Sequence, residues 1–181
     1  MAVPDDRLQT IECHDGGQEA FEKLVRENQR MIHSLCYRLT GSMEEAEDLA
    51  QDTFLQAFQS RANFRGEAKV SSWLYRIAVN RCLNWRKQQQ WQVQAHQQLR
   101  QSEPGASHDD APREQQIQQA LMRLPAKQRA AIVLTTYDGL THAEAACALH
   151  CSETTVSWRV FAARRKLKRM LKHLQNTGGE T

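Results

Sequence analysis

A chain of 181 residues has room for one large domain or two small ones. With 40% hydrophobic and 25% charged residues, the composition is that of a folded, soluble protein. No apolar run approaches the roughly eighteen residues of a membrane-spanning helix. The opening MAVPDDRLQT has neither the basic nor the apolar region of a signal peptide. The expectation is a cytoplasmic protein without membrane insertion, whose five scattered cysteines (Cys13, Cys36, Cys82, Cys147 and Cys151) are reduced thiols.

The formal charge of +3 conceals an alternation along the chain. Residues 1–60 carry five bases against twelve acids, and residues 61–91 carry seven against one. Residues 92–120 carry two bases and four acids, and residues 121–181 carry ten and four. Two basic blocks separated by acidic ones suit two separate contacts with a polyanion. Charge alone does not choose between that reading and ordinary solvated surface.

In chain order, Phe21, Leu24, Val25, Ile32, Leu35, Cys36 and Leu39 recur at helical steps, and Thr40-Gly41 supplies a stop. Ser42 with Glu45 forms a capping-box pattern that opens a second helix, with Ala46, Leu49, Ala50, Phe54 and Ala57 as its buried stripe. Residues 61–70 lack a period and read as a loop. A third helix is expected over about 71–87, with an extension toward Trp91 as an alternative. Residues 88–112, rich in Gln and ending in a Ser/Pro/Gly cluster, bury too little apolar surface to offset their ordering entropy, so a flexible linker is expected.

A second helical unit follows over 113–175: a helix near 113–124, a Pro125-initiated helix to Asp138, a turn at Gly139 and two more helices. Residues 176–181 read as a disordered tail. No hairpin signal occurs. The expected fold is all-α, two small helical domains joined by a linker, the first over residues 1–87.

The segment GLTHAEAACALHCSETTVSWRVFAARRKLKRM has the layout of a helix-turn-helix. Thr141 and Glu144 form a capping box, Leu149-His150-Cys151 the turn, and Ser152 the cap of a long second helix. On that helix Val156, Val160, Ala163, Leu167, Met170, Leu171 and Leu174 share one face. Thr154, Trp158, Phe161, Arg165 and Lys168 collect on the opposite one. One side suits a core and the other a polyanion, with base edges of a major groove near the N-terminus and phosphates near the C-terminus. A helical bundle with a basic exposed face would have the same pattern.

On the third helix Leu74, Tyr75, Ala78, Val79, Cys82 and Trp85 share the core side, whereas Trp73, Arg76, Asn80, Asn84 and Lys87 line the other. A Trp with Arg, Asn and Lys at helical spacing combines stacking, charge and hydrogen bonding for unstacked single-stranded bases. A Trp packed beneath the neighbouring loop is the competing reading.

EEAEDLAQDTFLQAF followed by FRGEAKVSSWLYRIAVNRCLNW resembles the second conserved region of bacterial sigma factors of the extracytoplasmic-function (ECF) subgroup. LPAKQRAAIVLTTYDGLTHAEAACALHCSETTVSWRVFAARRKLKR resembles their fourth region. The likeness covers about residues 19–87 and 116–171.

It implies that Asp48, Gln51 and Asp52 meet the clamp of the largest subunit of core RNA polymerase. It also implies that Trp73, Arg76 and Asn80, with Phe64, Lys69 and Val70 of the preceding loop, contact the −10 strand during melting. The helix-turn-helix would read the −35 element through Thr154, Ser157, Trp158, Phe161, Arg164, Arg165 and Lys168, near the polymerase flap. An anti-sigma factor is an implied further partner. The chain departs from the family pattern at His150, where Gly is usual, and at Ser157 and Ala162, where bases are frequent, so the −35 sequence is not transferable from a relative. Trp158 is also unusual at its place.

His142, Cys147, His150 and Cys151 cluster around the turn, but their spacing is no standard zinc pattern. No cofactor or metal is expected. No nucleophile constellation or phosphate-cradling glycine loop is present, and Asp109-Asp110 sits in the linker, so catalysis is not expected. A stand-alone DNA-binding regulator is the rival reading, and the acidic second helix, which such a protein does not need, counts against it. A pure protein-interaction module is disfavoured by the basic recognition face.

Overall fold

The computed structural model describes residues 17–61, 69–97 and 112–172, and they form seven α-helices. The first unit comprises α1 (Gly17–Thr40), α2 (Met43–Ser60) and α3 (Val70–Gln97). The second comprises α4 (Arg113–Met122), α5 (Ala126–Ile132), α6 (His142–Ala148) and α7 (Glu153–Met170). A π-helical turn, Val133–Tyr137, extends α5. No strand occurs among the described residues.

The helix ends follow local chemistry. Gly41 adopts φ +81°, the left-handed conformation that closes a helix at little cost to glycine, and its N–H donates to the Tyr37 carbonyl at 2.8 Å. Ser42 accepts the Glu45 N–H at 3.3 Å, and Glu44 and Glu45 place negative charge against the N-terminal dipole of α2. Thr141 and Glu144 complete a reciprocal capping box on α6. Ser152 accepts the Thr155 N–H at 3.2 Å at the start of α7.

The apolar stripes lie where the helical period puts them. On α2, Ala46, Leu49, Ala50, Phe54 and Ala57 are buried. So are Leu74, Tyr75, Ala78, Val79 and Cys82 on α3, joined by Ile77, while Trp85 is half-buried. Burial pushes the Tyr75 hydroxyl well above the usual phenol range. Contact with Cys36, then burial, raises the Cys82 thiol. On α7, Val156, Val160 and Ala163 are buried and Leu167 partly so.

The start of the linker differs from expectation. The third helix continues ten residues past Lys87, through the first part of the expected linker, to Gln97. Glutamine is a straight-chain helix former, so an established helix propagates through such a run without an apolar stripe. Residues 98–111, the tail beyond 172 and residues 62–68 of the expected loop lie outside the described residues, as does Leu174.

The two units pack against each other, an arrangement that the sequence left open. α1 touches α4 and α5, α3 touches α5 and α6, and the buried side chains of both halves form one cluster. At the junction Gly41 faces the Met122 side chain, whose Sδ would stand 2.9 Å from a Cβ placed there.

Candidate nucleic-acid interface

The helix-turn-helix is built by α6 and α7. Between them His150 takes φ +47°, left-handed backbone in which a Cβ is strained. That geometry matches the turn position where the sequence carries His in place of Gly. All seven residues expected to read the −35 duplex are exposed on α7: Thr154, Ser157, Trp158, Phe161, Arg164, Arg165 and Lys168. Trp158 is 62% exposed and Phe161 65%, so both rings stand clear of the neighbouring unit. Ser157 Oγ lies 2.9 Å from Nδ1 of His142, tying the recognition helix to the start of α6. The face offers stacking, hydrogen-bonding and cationic groups along one helix, as a major-groove reader requires.

The second candidate face is on α3. Arg76, Asn80, Asn84 and Lys87 are exposed along one side, and Lys69 lies just before the helix. Trp73, however, is half-buried against the core. Val70 opens α3 and is buried, so it acts as a core residue here rather than as an open loop contact. Phe64 lies outside the described residues. Farther along, Lys87 Nζ sits 5.4 Å from the centre of the Trp91 ring, and that ring is 66% exposed. Trp91 extends the basic-aromatic face beyond the stretch emphasised by sequence reasoning, and its seven-residue step from Asn84 was the available signal.

The acidic face is on α2. Asp48 and Gln51 are exposed; Asp52 is partly exposed and pairs with Arg81 at 3.2 Å. Leu55 (55% exposed) and Phe58 (37%) continue that outer face, Phe58 against Phe21 in an edge-on ring contact. Sequence reasoning missed Leu55, which falls off the buried stripe and one turn after Gln51 and Asp52. A groove of about 660 Å³ beside this face is lined by Gln29, Arg30, Glu47, Gln51 and Phe54, among others.

The His/Cys cluster does not converge. Among the described residues no group of three or more His, Cys, Asp or Glu side chains is placed to hold a metal ion. Cys147 is exposed, whereas Cys151 is half-buried and accepts from Arg159 Nη1 at 3.3 Å. Among the described residues no helix is long and apolar enough to cross a membrane.

Residues 24–92 match the Sigma-70 region 2 family and residues 114–167 match Sigma-70, region 4. The chain is 38% identical to the ECF RNA polymerase sigma factor SigM of Mycobacterium tuberculosis, over 90% of this chain and 82% of that protein. It is 30% identical to the RNA polymerase sigma-H factor of Pseudomonas aeruginosa, over 96% of this chain and 98% of that one. The structure is similar to the sigma factor RpoE of Bartonella quintana, solved in complex with the anti-sigma factor NepR. The TM-score there is 0.72 at 25% identity, over 85% of this chain and 98% of that one. CnrH, solved with the cytosolic domain of CnrY, shares the fold, with a TM-score of 0.70 at 24% identity over 93% and 97% of the two chains.

The molecule is thus a transcription initiation factor of the sigma-70 class. It belongs to the ECF sigma factors, and directing promoter-dependent transcription is its function.

Proposed function

We propose that the chain, in the cytoplasm, joins core RNA polymerase through α2, reads −35 duplex with α7, and holds the separated −10 strand along α3. It carries out no catalysis of its own. The observation that carries this reading is the pairing, in one chain, of an exposed acidic face on α2 with exposed basic-aromatic faces on α3 and α7. A DNA-binding regulator that never meets polymerase has no use for the first.

On α2, Asp48, Gln51 and Asp52 supply charge complementarity toward a basic clamp, which steers association, and Leu55 supplies apolar area at its centre. On α3, Arg76 and Lys69 take the phosphates while Asn80 reaches base edges. Trp73, half-buried, props the helix surface on which Arg76 and Asn80 stand. Extracting a −10 base costs a few kcal/mol in unstacking, which these contacts must offset. On α7, Arg164, Arg165 and Lys168 hold the backbone while Thr154, Ser157, Trp158 and Phe161 lie toward the bases. The co-complexes of RpoE with NepR and CnrH with CnrY support control of this chain by an anti-sigma protein.

The test is capture of core RNA polymerase by the purified chain and by an Asp48→Arg/Asp52→Arg variant. Asp52 pairs with Arg81, so thermal unfolding of the variant is measured alongside to check that the fold is kept. Capture by the parent and loss in the variant is the expected result. Failure of both to bind, with duplex binding retained, would replace this reading with a stand-alone regulator.

A further inference from the structure

α2 carries five acids, Glu44, Glu45, Glu47, Asp48 and Asp52, and no Lys, Arg or His. Like charges four residues apart on a helix repel, and Asp48 and Asp52 stand at that spacing. Among the described residues one of these five carboxylates is in an ion pair: Asp52 Oδ2 accepts from Arg81 Nη1 of α3 at 3.2 Å. Arg81 makes a second contact with the same helix. Its Nε donates to Gln56 Oε1 at 2.8 Å, one turn farther along α2. The planar guanidinium therefore bridges two successive turns of α2 through two different N–H groups. It stands on a firm base, because its α3 neighbours Ala78, Val79 and Cys82 are buried.

Stability does not account for this arrangement. The Arg81 and Asp52 side chains are 38% and 51% exposed, and ion pairs that open to water add little to folding. What a two-point contact fixes is direction. A lone carboxylate on a helix surface turns freely and is pushed by its like-charged neighbour. Arg81, itself anchored at Gln56, holds Oδ2 of Asp52 toward α3, and Oδ1 takes no part in the pair.

From this geometry we infer that Arg81 is a positioning residue for polymerase binding. Reaching across from α3, it sets the Asp52 carboxylate of α2 in the orientation offered to a basic partner surface. The inference rests on the assignment of α2 to core RNA polymerase. Ordering a contact group before binding lowers the entropy cost of association, and such gains are read mainly as slower dissociation. It comes at the expense of long-range attraction, since Arg81 offsets one of the charges that steer a basic partner toward α2. Removing Arg81 thus separates the two effects. Loss of positioning speeds dissociation, whereas loss of a mere opposing charge tightens binding.

The test uses the full chain and core RNA polymerase immobilised on a biosensor. No DNA is present, so any contact of Arg81 with DNA plays no part. Arg81→Met should speed dissociation by about three- to tenfold, the range expected for one side chain that must be ordered on binding. Association at low salt should be unchanged or faster. Arg81→Lys keeps the charge, but a single ammonium does not reproduce the fork, so it should dissociate nearly as fast as Arg81→Met. Gln56→Met removes the anchor without altering charge and should shift dissociation in the same direction. Thermal unfolding of each variant is followed alongside, and Gln56→Met keeps the test open if an Arg81 variant loses its fold. In an Asp52→Ala background, Arg81→Met should leave dissociation unchanged, because the group it positions is gone.

Tighter binding by Arg81→Met, or parent-like dissociation in both Arg81→Met and Gln56→Met, would overturn the inference. So would an Arg81→Met effect that persists in full without Asp52, which would place Arg81 itself against polymerase. No binding by the parent chain would instead remove the assignment of α2 to polymerase, and the positioning role with it.

Discussion

Arg38 and Asp138 meet 3.8 Å apart, guanidinium to carboxylate, across the junction of the two domains. The Asp138 side chain is only 6% exposed there, and burial outweighs the nearby Arg38 charge, pushing its pKa up to about 6. The docked state thus binds a proton more tightly than a separated state in which Asp138 is hydrated and titrates near about 3.9. Linkage fixes the sign. The contribution of Asp138 to docking is fullest below that lower value and is lost as pH rises through about 6. The facing Tyr75 hydroxyl does not compete in this window, since burial holds it neutral. Lys69 Nζ lies 3.7 Å from the Glu144 carboxylate across the same junction, so a zero-length carbodiimide cross-link between them, formed after equilibration at each pH, reports docking. Its yield is expected to drop between pH about 5 and about 7, and Asp138→Asn to flatten that profile. A parent profile identical to that of Asp138→Asn would rule Asp138 out as its source.

Arg129 is buried and has no acidic partner among the described residues; desolvation and then the charge of Arg86 depress its pKa to about 10. Burial lowers Arg86 likewise. Removing one member of a well-paired buried ion pair costs about 3–5 kcal/mol. Arg129→Met removes an unpaired charge and keeps most of the volume, so unfolding in urea should give a stability within about 1 kcal/mol of the parent. A loss above about 3 kcal/mol would mean that the guanidinium is compensated after all.

The left-handed His150 is a position where the side chain is a cost. His150→Gly should raise stability by about 0.5–1 kcal/mol, read as a rise of a few degrees in Tm. His150→Val, with a branched Cβ at φ +47°, should lower it.

Leu55 is more than half exposed on the acidic face of α2 and has no core to fill. Leu55→Asp should leave Tm within about a degree or two, because exposed substitutions seldom move stability by more than about 0.5 kcal/mol. Loss of a central apolar contact should nonetheless weaken capture of core RNA polymerase by about tenfold or more. Wild-type capture by this variant would take Leu55 out of the interface.

Much of this was legible in the chain because it depends on short-range periodicity. The stripes of α2 and α7, the Gly41 stop, the Thr141–Glu144 box and the outward face from Thr154 to Lys168 each follow from residues within a few helical turns of one another. The same short range explains what stayed open. Propagation of α3 to Gln97 depends on a helix already nucleated upstream, so a window over the Gln run alone reads as linker. The wheel places Trp73 beside Arg76, but only the surrounding helices decide that its ring is half-buried.

What the sequence determined by itself, then, was the set of helices, the helix-turn-helix and the three faces to which function is proposed, because side-chain spacing on a helix is fixed by its pitch. What only the tertiary structure decided was how the two units pack against each other. Arg76 with Cys147, Lys69 with Glu144 and Arg38 with Asp138 are contacts between distant segments. Nothing in local spacing encodes them, because they depend on how two completed domains fit together.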